Sequence, residues 1–169
     1  GVVMNAGAYD GELKQVVTFV KVVDAEGNAL ELDNEDMEFG YRTSAIKHSD
    51  FTAVEVGICL QPGEKETIKA RMDELAAKRR EKQPLEFPSA GSTFKRPEGH
   101  FAGKLIMDAN LRGYRVGGAQ ISEKHCGFVI NRGEATASDI VQLIKDVQKK
   151  VYEEFQVELE TEVKFLGEF

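Results

Sequence analysis

The sequence predicts an α+β protein in two parts, a β-rich stretch over residues 1–63 and a compact α+β domain over 64–169. Three observations carry this reading. Apolar residues cluster in short β-favouring runs before Gly63 and recur at helical spacing after it. A capped helix with a continuous apolar stripe begins near Thr136, and the final segment alternates apolar and charged residues almost without a break. At about a hundred residues, the second part has an ordinary domain size.

Residues 15–23 are rich in Val and Phe, and Ala29-Leu-Glu-Leu32 follows after Asp24-Ala-Glu-Gly-Asn28. Two β-favouring runs around a Gly/Asn turn predict a hairpin. Residues 51–60 predict another strand, ended by Pro62-Gly63, whereas Phe39-Gly-Tyr-Arg-Thr-Ser44 is too short and mixed to assign. Over 64–82, Ile68, Met72, Leu75 and Arg79 repeat at helical spacing. The basic run Lys78-Arg-Arg-Glu-Lys82 then falls at the solvated C-terminus of that helix, where cations suit the macrodipole. A shorter helix over 101–110 is expected to stop near Gly113. Residues 115–122 and 127–131 read as two strands joined by Glu123-Lys-His-Cys126. Thr136-Ala-Ser-Asp139 resembles a capping box with Asp in the last place, and Ile140, Ile144, Val147, Val151 and Phe155 form the stripe of the helix it opens. Residues 157–165 close the chain as a strand with one buried face.

Hydrophobic content of 41% and charged content of 30% belong to a globular chain. A net charge of −7 argues against a nucleic-acid partner, whose phosphates would be met by a basic face. With no apolar run of bilayer length, no membrane partner is expected and a cytoplasmic location is. Cys59 and Cys126 each lie in an apolar run and are expected as buried free thiols of a reducing compartment. His48, His100 and His125 are scattered, without metal-ligand spacing. The opening Gly1-Val-Val-Met-Asn-Ala-Gly-Ala-Tyr9 starts on an apolar run without an initiator Met, and reads as the interior of a domain whose beginning lies elsewhere.

The segment Pro88-Ser-Ala-Gly-Ser-Thr-Phe-Lys-Arg-Pro97 is the richest in chemistry. Gly91 lets the backbone approach a ligand, the prolines restrict the chain, and Ser92 is left on a turn with Lys95 and Arg96 nearby to hold an anion. Taken alone it is an ordinary turn. Arg42, in Tyr41-Arg42, taken alone is a surface ion pair, and Glu162, in Glu160-Thr-Glu-Val-Lys164, is one more carboxylate on a solvated strand face. Together they make a different proposition: an arginine stabilises a developing oxyanion, a carboxylate steers a proton, and a serine hydroxyl delivers one to carbon. Neither motif contains a histidine base, so a hydrolase triad is excluded.

The blocks Val3-Met-Asn-Ala-Gly-Ala-Tyr9, Phe39-Gly-Tyr-Arg-Thr-Ser44, Gln83-Pro-Leu-Glu-Phe-Pro-Ser-Ala-Gly-Ser-Thr-Phe-Lys-Arg-Pro97, Gly118-Ala-Gln-Ile-Ser-Glu-Lys-His-Cys-Gly-Phe-Val-Ile-Asn131, Ala135-Thr-Ala-Ser-Asp139 and Leu159-Glu-Thr-Glu-Val-Lys164 resemble the UDP-N-acetylenolpyruvoylglucosamine reductase family in order and spacing. The resemblance spans the whole chain and is closest to the family's shorter form. It implies that residues 1–63 are the C-terminal remnant of a PCMH-type FAD-binding domain and 64–169 a substrate-binding domain. It also implies the chemistry: NADPH reduces FAD, and a hydride passes from flavin N5 to the enolpyruvyl group of a UDP-sugar, giving a peptidoglycan precursor. By motif, Arg42 and Glu162 would stabilise the enolate-like charge and Ser92 would protonate the neighbouring carbon. Glu162 could do so only if protonated or hydrogen-bonding, in a desolvated site. Tyr41, Lys95, Arg96 and His125 would grip the diphosphate or carboxylate, although a packed loop histidine accounts for His125 equally well. Asn5, Ala6, Gly7 and Ala8 would be the tail of a flavin site whose glycine-rich loops lie elsewhere, so the chain by itself is expected to hold flavin weakly and to be inactive. A sheet remnant with an exposed edge is expected to favour self-association or disorder before Gly63. Two other readings stand beside this one, a non-catalytic UDP-sugar-binding module and a purely structural or interaction domain.

Overall fold

A computed structural model of the chain describes residues 1–167. The protein divides into two compact units, Gly1–Glu64 and Lys65–Phe169.

In the first unit, β1 (Gly7–Ala8) and β2 (Gly11–Glu12) form a minimal antiparallel pair. A three-stranded antiparallel sheet of order β4-β3-β5 follows, from β3 (Val17–Val23), β4 (Ala29–Asp33) and β5 (Thr52–Ile58). The β3–β4 hairpin closes as its residues demand. Gly27 takes φ +88°, and the Asp24 carboxylate accepts hydrogen bonds from the backbone N–H groups of Glu26 and Asn28 and from the Asn28 side chain. Those donors, the Asn28 side chain foremost, hold the Asp24 carboxyl below the usual carboxylate range. Val17, Val20 and Val22 pack with Val2, Met37, Phe39 and Ile46 in one cluster. The unassigned stretch 39–44 is a tight loop pinned by a Gly40–Thr43 bridge and followed by a 3₁₀ turn over Ala45–His48. Cys59 is exposed rather than buried, because β5 lies at the edge of the sheet and its apolar run continues beyond the covered part.

The second unit begins with α1 (Lys65–Lys82), which buries none of its residues. Ile68 and Met72, expected on a packed stripe, are exposed, so periodicity located this helix without locating a core contact. Side-chain pairs one turn apart support it: Arg71 and Lys78 reach Glu74 at 2.6 and 2.5 Å, and Lys69 pairs with Asp73. The hydrogen bonds from Lys78 and Arg71 pull the Glu74 pKa down to about 2. The basic C-terminal turn is solvated, as its composition implies.

Four antiparallel strands in the order β6-β9-β8-β7 then carry the core, from β6 (Ser89–Ser92), β7 (Arg115–Val116), β8 (Ala119–Ile121) and β9 (Phe128–Asn131). Helices α2 (Ala102–Asp108) and α3 (Ala137–Phe155) contribute to the same cluster. Ile106, Ala119, Ile121, Leu143, Val147 and Val151 are fully enclosed. Each larger aliphatic side chain buried this way contributes roughly 1.5–3 kcal/mol over leaving it in water. The α3 stripe is thus the one whose periodicity did find the core.

Three segment ends differ from expectation. Helix α2 ends at Asp108, and Asn110 rather than Gly113 makes the stop: it takes φ +59°, and the Leu111 N–H bonds back to the Ile106 carbonyl at 3.1 Å. Residues 115–122 are not one strand but the two arms of a hairpin, β7 and β8, turned at Gly117-Gly118. A Cβ on Gly118 would fall 2.3 Å from the Gly133 carbonyl oxygen, so the turn is packed against backbone. Residues 157–165 form no regular strand. A single bridge joins Phe94 to Thr161, flanked by Glu162 N–H to Thr93 O (2.8 Å) and Lys95 N–H to Glu160 O (2.9 Å). Pro97, which has no N–H, ends the partner segment, so the ladder stops after one rung. The alternation is still read out in burial, with Leu159 buried between exposed Glu158 and Glu160, while Phe165 is exposed.

The N-terminus of α3 matches its motif. The Thr136 hydroxyl accepts from Asp139 N–H (3.1 Å), and the Asp139 carboxylate accepts from Thr136 N–H (2.9 Å). That second bond is the main reason the Asp139 carboxyl lies below its ordinary range. No helix among the described residues is long and apolar enough to cross a membrane.

These contacts set two expectations. Replacing Thr136 by Ala should cost about 1 kcal/mol in urea unfolding. Since the folded-state pKa of Asp139 is depressed, its charge stabilises fully above the ordinary carboxylate value and ceases to do so as pH falls through the lower one. The urea midpoints of wild type and Asp139→Asn should therefore differ at neutral pH and converge below about pH 4. Gly118→Ala should lower stability by more than about 2 kcal/mol, because backbone must move. Gly99→Ala has open space around it and a left-handed φ of +71°, so thermal unfolding should report only the conformational cost, about 1 kcal/mol.

Candidate functional site

The chemistry-bearing residues of the second unit converge through backbone pairing. Ser92 ends the edge strand β6 opposite Phe128, and the register of β6 on β9 is broken between Ser89 and Ser92. Gly91, at φ +86°, lies in that break with open space over its Cα. The sequence placed Ser92 on a turn; it stands instead on an irregular strand edge, because residues 89–92 pair with β9 on one side. Its side chain is exposed.

What holds Ser92 is its neighbour. Thr93 is buried: its N–H donates to Gly127 O (2.9 Å), its hydroxyl accepts from Val129 N–H (3.1 Å), and its carbonyl accepts from Glu162 N–H. Phe94 follows into the core. The same bonds bring Glu162, seventy positions away in sequence, onto the segment beside Ser92, where its side chain is half-buried. Lys95 pairs with the Glu160 carboxylate. Arg96 lies over the Phe101 ring with its guanidinium 4.0 Å from the centroid, and its Nε donates to His100 O at 3.3 Å. Ser92, Lys95, Arg96 and Glu162 therefore share two adjoining segments, with an exposed hydroxyl, two oriented cations and a carboxylate.

His125 belongs to the loop that meets them. Its Nδ1 accepts from Gly127 N–H (3.1 Å), its own N–H donates to the Ser122 hydroxyl, and its ring meets Phe128 edge-on with centroids 4.9 Å apart. The Gly127 carbonyl on which Thr93 rests thus comes from the turn that His125 closes. With Nδ1 accepting, the proton of the neutral ring is on Nε2.

Tyr41 and Arg42 form the tip of the Gly40–Thr43 loop in the first unit. Arg42 takes a left-handed φ of +53°, uncommon for a residue with a side chain and often a mark of function. Its guanidinium lies 5.3 Å from the Tyr41 ring centroid, and its carbonyl accepts from Lys47 Nζ at 3.3 Å. Buried Asn5 braces this loop, donating from Nδ2 to Gly40 O (3.2 Å) and to Glu12 (3.0 Å), while its oxygen accepts from Lys14 N–H (2.9 Å).

That arrangement bears on Asn5, Ala6, Gly7 and Ala8 as flavin contacts. The Asn5 amide is engaged within the unit on both its nitrogen and its oxygen. Ala6 O accepts from Leu13 N–H, and Ala8 pairs with Gly11. The space that a missing Cβ leaves at Gly7 is filled by the Gly11 carbonyl, 2.8 Å from where that Cβ would be. Among the described residues no buried side-chain polar atom lacks a partner. The four residues build a loop whose one polar side chain is engaged within the unit, so any hold on a dinucleotide would fall to backbone atoms. The family resemblance pointed to Asn5 but not to its role under Gly40, and Thr93 was hidden between two better-looking neighbours. The available signal for Thr93 was a hydroxyl directly preceding a buried aromatic.

Comparison with known proteins gives the family. Residues 83–166 match the family model described as UDP-N-acetylenolpyruvoylglucosamine reductase, C-terminal domain. The chain is 56% identical to the reductase of that name from Lachnoclostridium phytofermentans over 99% of its own length and 54% of the relative's. It is 57% identical to that of Clostridium botulinum strain Langeland over 99% of its length and 55% of the relative's. The crystal structure of UDP-N-acetylenolpyruvylglucosamine reductase (MurB) from Thermus caldophilus superposes with a TM-score of 0.81 at 38% identity, covering 95% of this chain and 57% of that one. The chain spans about half the length of the curated relatives it matches. With likeness at this level along nearly all its residues, and the C-terminal domain model matched over 83–166, the chain belongs to the UDP-N-acetylenolpyruvoylglucosamine reductase family.

Proposed function

We propose that this chain carries the substrate-binding and proton-donating part of an NADPH-dependent flavoenzyme. Such an enzyme would reduce the enolpyruvyl group of a UDP-sugar to the corresponding lactyl ether, a step of peptidoglycan synthesis. The observation that carries the reading is the pairing of the Glu162 segment on Thr93, which brings a carboxylate beside the segment of Ser92. The names of the relatives supply the substrate class.

The roles follow from charge. Hydride addition to a carbon–carbon double bond conjugated with a carboxylate leaves negative charge spread over the neighbouring carbon and the carboxylate. A cation at that carboxylate gains more in the transition state than in the ground state, and Arg42 takes this role. Glu162, half-buried, steers a proton or donates a hydrogen bond to the same charge. Ser92 gives its hydroxyl proton to the charged carbon, which completes the reduction, and regains one from solvent. Lys95 and Arg96 hold the diphosphate, Arg96 oriented by Phe101, and Tyr41 and His125 complete the grip. FAD and NADPH would supply the hydride. Because the one polar side chain of the Asn5–Ala8 loop is engaged internally, the flavin would rely largely on residues beyond this loop, and no step of the mechanism is assigned to it.

That engagement also favours a second reading, a UDP-sugar-binding module without redox chemistry. The two part experimentally. A fusion of this chain to the remaining portion of one of the clostridial relatives should oxidise NADPH when given the enolpyruvyl UDP-sugar. In that fusion, Ser92→Ala should lower kcat by about 10²–10⁴ with KM little changed. A fusion that binds flavin and the UDP-sugar yet consumes no NADPH favours the module. The 169-residue chain alone, reconstituted with excess FAD and passed through gel filtration, should elute without visible flavin absorbance. A yellow protein peak would show that residues 1–63 suffice for the cofactor.

A further inference from the structure

Strand β6 meets β9 with an extra residue. Ser89 stands opposite Ile130 and Ser92 opposite Phe128, so β6 advances by one residue more than its partner does. Gly91 lies in that bulge with φ +86°, a conformation glycine adopts without strain. Successive side chains of a strand point to opposite faces, so a slip of one residue would turn the Ser92 side chain over. Whatever fixes the bulge therefore decides where the Ser92 hydroxyl stands.

Bonds on both sides of the bulge tie it to β9. Before it, Asn131 N–H donates to Pro88 O (2.9 Å); after it, Thr93 N–H donates to Gly127 O (2.9 Å). Both use backbone alone, and neither depends on the side chain present. The third bond does depend on it: the Thr93 hydroxyl accepts from Val129 N–H at 3.1 Å, between two buried residues where water cannot take its place. Ser89 Oγ also accepts from Gly91 N–H (3.3 Å), but that bond stays within β6. The Thr93 carbonyl carries the Glu162 N–H, so a slip here would displace both candidate groups together.

We propose that Thr93 is a positioning residue for the proton transfer proposed for Ser92. Its hydroxyl, bonded to Val129 N–H, locks the bulge in the register that presents the Ser92 hydroxyl. The inference rests on that reading of Ser92. In the step itself the Ser92 O–H bond breaks as a C–H bond forms at the charged carbon, and the serine oxygen takes a proton back from solvent. Thr93 exchanges no proton. It keeps the donor in reach of the carbon, where a misplacement of about 1 Å costs on the order of a hundredfold in rate.

The fusion to the remaining portion of a clostridial relative separates this role from packing. Thr93→Val keeps the shape and removes the acceptor, so kcat should fall about 10–100-fold with KM for the UDP-sugar within about twofold. The solvent deuterium isotope effect on kcat should rise, because proton transfer then limits the rate. Thr93→Ser keeps the hydroxyl and should restore both. In a Ser92→Ala background Thr93→Val should change kcat by less than about twofold, since no donor is left to misplace. If Thr93→Val does not fold by circular dichroism, Thr93→Cys, a weak acceptor of similar size, takes its place. In the 169-residue chain, amide hydrogen exchange needs no cofactor, and Thr93→Val should cost the Glu162 N–H its protection. Unchanged protection there overturns the proposal. So does a Thr93→Val fusion with the parent's kcat, a slower one with the parent's isotope effect, or a Thr93→Ser fusion as slow as Thr93→Val. Those results leave Ser92 in its role, whereas a fully active Ser92→Ala fusion removes the reading of Ser92 and this inference with it.

Discussion

The second unit depends on how Thr93 is held. This residue ties two other stretches of chain together: its N–H and hydroxyl bond Gly127 and Val129, where the 122–127 turn runs into β9, and its carbonyl receives the segment around Glu162. All three bonds lie on a residue buried to 3% exposure, where each is costly to leave unmade. With Phe94 locked into the hydrophobic cluster next door, the backbone on the C-terminal side of Ser92 has little freedom. An exposed hydroxyl on a rigid support is what a positioned proton donor requires, and at this site the rigidity comes from the residue beside it.

The first unit solves a similar problem with Asn5. One buried amide carries the base of the Tyr41–Arg42 loop through Gly40, ties in Glu12, and caps the Lys14 backbone N–H. The unfavourable left-handed conformation at Arg42 persists because the Gly40–Thr43 bridge and the Lys47 bond fix the loop on both sides. In each unit a buried polar residue sets the geometry of a neighbouring candidate residue.

The two long helices contrast in what supports them. Helix α3 is a packed element: its stripe fills the core, and its cap satisfies the first turn. Helix α1 is solvated, with ion pairs one turn apart along it. Exposed pairs of that kind contribute a few tenths of a kcal/mol each, so α1 is held much more by local propensity than by burial. Apolar spacing at Ile68, Met72 and Leu75 was a poor guide because spacing reports which residues share a face, not whether anything covers it.

Local chemistry was readable wherever the controlling partners lie within a few residues. The β3–β4 hairpin follows from Asp24, Gly27 and Asn28, and the start of α3 from Thr136 and Asp139, because turns and caps are closed by neighbours in the chain. The candidate residues Arg42, Ser92 and Glu162 were likewise visible as types in recurring blocks. Tertiary structure decided what depends on distant partners. It joined Glu162 to Thr93, placed Ser92 on a strand edge, reduced 157–165 to a single rung, and split 115–122 at Gly117-Gly118, which packs on the Gly133 backbone. It also left Cys59 and most apolar side chains of β5 exposed. The sequence alone determined which residue types could carry chemistry and which turns and caps are closed by near neighbours. Their neighbours came only with the fold, because backbone pairing between residues as distant as Thr93 and Glu162 leaves no periodic trace in either segment.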